Sequence, residues 1–542
     1  MTDTQIFKAK KIITMDPNCP EATHVAVRDG RILAVGGADC AAFWGGGKPD
    51  DRYQDCVLTP GFVEGHAHVL AGALWEFPYI GSHDVVGPDG TLHHALLNTR
   101  AVIDALRQAC AGLVGDAPLM GWGFDPIFLS EERLNRRHLD QVSTTRPVLV
   151  LHSNGHVMTV NSFALDMVGY DKDTDIDGIV RFEDGTPNGE LHEIAAKFPI
   201  TRRLKLGLAD VAKSTRALRN FGQLARAAGV TTCADLLAAL PDEFLDDLVS
   251  TTAEEDFPIR LVPAFDGIRN SVDTVLKRLP RLRELNHDRL RIGMVKLMTD
   301  GSIQGFTSRM NWPHHLHGQP QGIWNTPPDL FRDTVARLHA AGLQLHIHAN
   351  GDEASDVAID ALAAALTTHP RGDHRHVIQH CQMASEAQFR RMSALGVGVN
   401  LFANHLWYFG DQHYEMTMGP DRARRLNACR SALVHNVPLT IHSDAPVTPL
   451  NPLFTAWCAA NRRTPSGRIL GEYQKLTVAE ALHAITLGGA YSMHMDAEVG
   501  SIEVGKRADF AILDQDPFAV GAEGLRDIKV KGTVLGGRPF AS

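Results

Sequence analysis

Two histidines one residue apart are the first sign of chemistry in this chain, in the run Pro60-Gly61-Phe62-Val63-Glu64-Gly65-His66-Ala67-His68. Side chains at i and i+2 of a β-strand leave the same face, so His66 and His68 on a strand would aim both imidazoles into one space. Two neutral imidazoles placed that way chelate a divalent cation. A lone pair of this kind in a chain with 27 histidines is more often polar filling, so the other ligand-type residues decide its meaning. Lys296 stands alone in the apolar run Val295-Lys296-Leu297-Met298, and a buried ammonium is costly unless it is paired, neutral or chemically modified. His346-Ile347-His348, Gln379-His380 and His442-Ser443-Asp444 complete the set.

The elements that must position these residues follow from the apolar pattern. Candidate strands span 57–63, 230–235, 259–264, 292–297, 343–348, 376–380, 397–401 and 438–442, and helical periodicity fills the intervals, as over 216–228, 329–341 and 354–367. Alternating strands and helices of this kind predict an α/β fold, a (β/α)8 TIM barrel, over 57–77 and 206–496. The ligand-type residues fall at the C-terminal ends of these strands, where such barrels carry their active sites, whereas polar filling would scatter over both ends. The interval 78–205 is far longer than a crossover needs and predicts an insertion after the first barrel strand, a lid over the site. Short strands at 7–15, 24–27 and 31–35, mirrored by 500–504, 508–513 and 528–535, predict a small β-sandwich built from both chain ends, 1–56 and 497–542.

Composition narrows the classes of function. The 542 residues are 44% hydrophobic and 21% charged, the balance of a soluble globular protein with a large core. A net charge of −10, from 53 Lys+Arg against 63 Asp+Glu, argues against nucleic-acid or anionic-membrane binding, which need clustered basic residues. No run approaches the ~18 to 20 apolar residues of a membrane span, and no signal-peptide pattern opens the chain, so a cytoplasmic location is expected. The eight cysteines include no C-x-x-C pair and read as reduced thiols. Dinucleotide, P-loop and nucleophile-elbow motifs are absent.

Taken together the motifs resemble the amidohydrolase superfamily, specifically its family-3 branch, which holds YtcJ-like and N-substituted formamide deformylase-like hydrolases. The matching pieces are Pro60 to His68, Val295-Lys296-Leu297-x-x-Asp300-Gly301-Ser302, His348-Ala349-x-Gly351-Asp352, Gln379-His380-Cys381-Gln382, Ser443-Asp444-Ala445-Pro446 and the turn Gly505-Lys506-x-Ala508-Asp509. The resemblance covers essentially the whole chain. It implies a metal site in which His66, His68 and Asp444 hold one divalent ion, His348 and His380 hold a second, and Lys296, carboxylated by CO2 on Nζ, bridges them. It further implies a bridging hydroxide as nucleophile, with Asp444 as ligand and general base that carries the proton to the leaving nitrogen. Zinc suits imidazole, carboxylate and carbamate ligands, with iron, manganese and cobalt as alternatives, at one or two ions per chain.

Several readings stay open on sequence alone. His346 shares a face with His348 and competes for its role; Lys296 competes between the carbamate and a structural pairing with Asp300; Glu64 is either an outer partner of the metal ligands or a polar residue below them. In the insertion, Asn154-Gly155-His156-x4-Asn161 resembles a family motif whose histidine reaches the scissile carbonyl, which makes His156 the candidate electrophile; a purely structural lid histidine is the alternative. Trp122, Phe124 and Trp407 are candidates for an apolar substrate wall, and Gln304 in the loop after 292–297 for the pocket floor. Arg309 reads as a solvated loop arginine rather than a carboxylate binder. The resulting expectation is a hydrolase acting on the C–N bond of a small N-substituted amide, with a homodimer implied by the resemblance and no nucleic-acid or membrane partner. Deamination of a heterocycle and ester or lactone hydrolysis use the same site. A non-catalytic ligand-binding regulator would be expected to have lost ligands, and none is lost.

Overall fold

The computed structural model describes residues 4–45, 47–129, 132–318 and 321–541. Its centre is an eight-stranded parallel barrel of Phe62–Ala67, Val230–Ala238, Arg260–Asp266, Met294–Met298, Gln344–Ala349, Val377–His380, Gly398–Leu401 and Leu439–Ile441. These strands are buried on both faces, which is why they read as near-continuous apolar runs. Closure is incomplete. The last and first strands meet only at the C-terminal rim, through an isolated parallel bridge of Ala67 with Ala445, with His68 N donating to Ala445 O at 2.9 Å and Asp444 N to His66 O at 3.1 Å. The seam of the barrel is therefore joined at the candidate ligands themselves.

Helices pack outside the strands by the devices their sequences carry. Thr215–Ala227 starts at Ser214, whose side chain accepts from Ala217 N, and buries Leu218, Phe221 and Ala225 on one face. Glu386–Leu395 has a capping box between Ser385 and Gln388 and ends at Gly396 in the left-handed conformation.

The first strand departs from the sequence reading. The run 57–63 is not one strand: Asp50–Pro60 pairs with Gln5–Ile13 and Phe510–Leu513, and the barrel strand begins at Phe62. Pro60 and Gly61 make the transfer. Gly61 N donates to Asp509 O at 2.9 Å, and a Cβ at position 61 would lie 2.1 Å from Thr231 Oγ1, so only glycine fits between the two sheets.

Both chain ends, as expected, build one small β unit, joined as a continuous seven-stranded sheet in the order Arg538–Ala541, Val530–Leu535, Phe510–Leu513, Asp50–Pro60, Gln5–Ile13, Glu21–Arg28, Arg31–Gly36. Phe7, Ile12, Val25, Leu58, Phe510 and Val534 form its core. The long interval after the first barrel strand contains a five-stranded sheet in the order Ile179–Arg181, Pro187–His192, Val157–Val160, Val148–His152, Leu119–Phe124, followed by the helix Glu193–Leu204. Among the described residues no helix is long and apolar enough to cross a membrane. All eight cysteines are free.

Candidate metal centre

His66, His68, Lys296, His348, His380 and Asp444 line one cavity at the C-terminal end of the barrel. The Asp444 carboxylate is the hub: its Oδ1 lies 3.2 Å from Nε2 of both His66 and His68, and its Oδ2 lies 3.7 Å from His380 Nδ1. Lys296 Nζ sits 3.5 Å from His66 Nε2, and the His348 ring lies 4.5 Å from that of His380. Five residues lining the cavity hold positive φ without being glycine, namely Glu193 at 61°, Leu237 at 92°, Leu240 at 45°, His380 at 68° and Asp444 at 53°. Backbone strain of this kind costs about 1–3 kcal/mol per residue and clusters at functional sites.

Electrostatics separates the cluster from ordinary core. Burial pushes the imidazoles of His66, His348 and His380 well below their usual range, so they are neutral ligand-type rings. Burial alone would raise the Asp444 carboxyl, but the adjacent His68, His442 and Lys296 hold it below its ordinary value. Burial brings Lys296 down to about 7, against a weak opposing pull from Asp444. The pairing of Lys296 with Asp300 is not made: the Asp300 carboxylate accepts from the backbone N–H groups of Asn350, Gly351 and Arg309 at 3.0, 2.9 and 2.9 Å. Lys296 thus supplies a buried amine whose lone pair is available near neutral pH.

The donor set fits a divalent cation. Asp444 Oδ1, His380 Nδ1 and both ring nitrogens of His442 are buried with no hydrogen-bond partner among the described residues. Buried polar atoms are nearly always paired, and converging imidazole lone pairs and a carboxylate are satisfied together by a cation. Among the described residues two triads have ligand atoms within 4.8 Å of one another: His66, His68 and Asp444, and His66, His380 and His442.

His442, which stands in the sequence among the strand-end residues, carries no ligand role in the sequence reading. Its ring stacks on His66 with centroids 4.6 Å apart and planes 18° apart, and burial lowers it to about 3. The signal was present, because His442 precedes Asp444 by two on one strand end, the same parity that singled out His66 and His68. Asp235 was also missed: it lies within the second barrel strand, lines the cavity, and accepts from Val69 N at 3.1 Å.

Two alternatives are resolved by geometry. His346 is tied at both nitrogens, to Ser492 O at 3.0 Å and Gln379 Nε2 at 2.7 Å, and is absent from the cavity wall, which leaves His348 as the residue facing the cluster. Glu64 accepts from His66 N at 3.1 Å and from Ser443 Oγ at 2.9 Å, clipping the first strand to the segment that carries Asp444; burial pushes it up to about 8.

The insertion supplies the opposite wall. His156 donates through Nδ1 to Glu193 Oε2 at 2.8 Å, and its ring lies 5.4 Å from that of His348. Burial opposes the Glu193 charge, yet His156 and Lys197 bring it to about 2, so the carboxylate is ionised. Asn325 Nδ2 holds the same oxygen at 2.9 Å. Gly301 makes room for this approach: a Cβ there would lie 2.2 Å from Glu193 Oε1.

The cavity encloses about 310 Å³, with Leu70, Leu74, Leu218, Leu240, Phe244 and Met298 among its apolar walls. Trp122 and Gln304 line it, and Gln304 Oε1 has no hydrogen-bond partner among the described residues. Phe124 and Trp407 do not. Gly123 at φ 90° and a register break between Trp122 and Phe124 turn Phe124 to the other side, where it packs with Ile80, Leu139 and Val150. Trp407 lies two residues after His405 in a helical turn, about 200° round the axis. His405 therefore lines the cavity while Trp407 packs edge-on against Trp457 at 5.3 Å. Arg309 is half-buried rather than free in solvent: it pairs with Glu353 at 3.1 Å and covers Trp324 at 4.8 Å.

The amidohydrolase family model matches residues 54–541. The chain is 27% identical to Protein LONG AFTER FAR-RED 3 of Arabidopsis thaliana, over 97% of this chain and 90% of that protein. It is 26% identical to an N-substituted formamide deformylase of Arthrobacter pascens, over 99% of this chain and 98% of the relative. Among solved structures, an uncharacterized metal-dependent hydrolase from Pyrococcus horikoshii OT3 superposes with a TM-score of 0.71 at 20% identity, over 96% of this chain and 99% of that one.

Proposed function

The chain belongs to the amidohydrolase family, and from that premise we propose that it hydrolyses the C–N bond of a small N-substituted amide with an apolar substituent. The observation that carries this reading is a cluster of buried, unpaired imidazole and carboxylate atoms at one end of a largely apolar cavity. The similarity to a relative named for N-substituted formamides supports the substrate class.

His66, His68 and Asp444 would hold one ion, zinc by preference, and His348 and His380 a second, with Lys296 between them. A divalent ion bound there supplies Lewis-acid polarisation of the carbonyl and acidification of water. Lys296 would become a ligand by carboxylation: the neutral Nζ lone pair attacks the carbon of CO2, a C–N bond forms as one C=O π pair moves onto oxygen, and the N–H proton leaves to solvent, giving an anionic carbamate. Asp444 takes the proton of the attacking water and delivers it to the leaving nitrogen. His156, oriented by Glu193 through Nδ1, turns Nε2 toward the cavity to meet the oxygen that gains charge. The apolar walls exclude water and seat the substituent.

The test is metal content by elemental mass spectrometry on protein purified without chelator, beside Lys296→Ala, together with a screen of N-aryl and N-alkyl formamides and acetamides. About two equivalents falling to one or fewer in the variant, with amine release in the screen, supports the reading. One equivalent unchanged by the substitution removes Lys296 from the metal site. Turnover of amino-heterocycles or esters alone overturns the amide assignment.

A further inference from the structure

The orientation of His66 is fixed from the far end of the barrel. His346 Nε2 lies 3.0 Å from the carbonyl oxygen of Ser492, the last residue of the helix Leu487–Ser492. A carbonyl only accepts, so Nε2 carries the hydrogen, and in a neutral ring Nδ1 is then the acceptor. Gln379 Nε2 donates to that nitrogen at 2.7 Å. The other end of the amide is thereby settled: Gln379 Oε1 accepts from Asn400 Nδ2 at 2.9 Å and from His66 Nδ1 at 2.7 Å. His66 must carry its hydrogen on Nδ1, which turns a bare Nε2 toward Asp444 at 3.2 Å and Lys296 at 3.5 Å. All four side chains are buried.

We infer that Gln379 and His346 are positioning residues that lock the His66 tautomer and so present its Nε2 lone pair to the metal. The lock works by exclusion. Were His66 to carry its hydrogen on Nε2, the Gln379 amide would have to turn its NH2 to His66 Nδ1. Its oxygen would then face the lone pair on His346 Nδ1, since Ser492 holds the His346 hydrogen on Nε2. Two buried acceptors facing each other with no hydrogen between them are each left without a partner, which disfavours that arrangement. Outer partners that set the tautomer of a ligating histidine typically change metal affinity about 10- to 100-fold when removed. The inference rests on the metal-dependent reading above but is measured apart from turnover.

Two measurements test it. Two-bond 1H–15N correlation spectra of metal-free wild-type protein labelled in histidine, with the His66 signals identified by their loss in His66→Asn, report the tautomer directly. The expected result is Nδ1–H for His66 and Nε2–H for His346; an Nε2–H tautomer at His66 overturns the inference. Zinc affinity, read by chelator competition, is expected to fall about 10- to 100-fold in Gln379→Leu and far less in Gln379→Glu, which keeps an acceptor opposite His66 Nδ1. A residue that only fills space would lower melting temperature without separating these two variants, and wild-type affinity in Gln379→Leu overturns the inference. Should Gln379→Leu fail to fold, the wild-type spectra decide. A wild-type chain that binds no zinc overturns the functional reading, and the His66 tautomer then decides the relay by itself.

Discussion

Two buried histidine clusters occupy opposite ends of the same barrel. At the N-terminal end, His376 stacks on His374 at 4.5 Å and meets His339 edge-on at 5.1 Å, centroid to centroid. At the C-terminal end, His66 stacks on His442 at 4.6 Å, and His380 packs tilted against His66 at 4.6 Å and edge-on to His442 at 5.0 Å. Composition and packing are alike, yet the hydrogen bonding is opposite. In the first cluster every ring nitrogen has a partner: His339 with His376 at 2.8 Å and His369 O at 2.7 Å, His376 also with Leu345 N at 3.1 Å, and His374 with His376 N at 2.9 Å and Leu395 O at 2.8 Å. In the second, His380 Nδ1 and both nitrogens of His442 have none among the described residues. One cluster is finished by the protein. The other leaves these buried ring nitrogens without partners, and that contrast, rather than histidine content, marks the candidate metal centre.

The sharpest way to break the contrast is at its hub. Asp444→Asn is expected to abolish metal retention at the first site and to cut amide hydrolysis by about 10²- to 10⁴-fold, the range for removing a general base. Metal content and turnover on the best substrate from the screen check this. A fully metallated, active variant would move the hub elsewhere. A smaller effect is expected at His442→Phe, which fills the same stacked volume without nitrogens. Zinc affinity should fall about 10- to 100-fold if His442 helps to hold or orient the ion, with melting temperature unchanged or raised because two unpaired buried atoms are removed. Unchanged affinity would make His442 filling, and the contrast would rest on His380 and Asp444 alone.

What the sequence made legible follows the same line. The barrel could be read because parallel strands buried on both faces leave long apolar runs, and the ligands could be read because i, i+2 parity survives without coordinates. Three features were hidden. The transfer at Pro60-Gly61 was missed because the apolar pattern runs through it unbroken, while the strand changes sheets. Phe124 was misplaced because the bulge at Gly123 resets parity, and a glycine between two aromatics does not announce which way φ turns. The partnership of His346 with Gln379 and Ser492 joins three distant segments, a relation that spacing cannot express.

At the finished cluster the expected effects are smaller and touch stability alone. His376→Phe leaves His339 Nδ1 and Leu345 N without partners, and should lower stability by about 1–3 kcal/mol per unpaired group while leaving zinc affinity as in wild type. Urea denaturation beside chelator competition measures both; a parallel loss of zinc affinity would show the two ends to be coupled.

The mildest probe is acid. Burial lowers the pKa of His339, His374 and His376, so the unfolded chain binds more protons than the folded one once pH falls below the ordinary histidine value of about 6.5. Stability rises with pH wherever the unfolded state holds more protons, so it should be complete above about pH 6.5 and decline steadily toward pH 5. In wild-type apoprotein this decline sums over both clusters. His376→Phe removes one contributor and should flatten the slope between pH 6.5 and 5 although the variant is less stable at pH 7. A slope equal to that of wild type would mean that His376 is already protonated in the folded protein, and the cluster at the N-terminal end would not be the neutral, fully paired counterpart that the comparison requires.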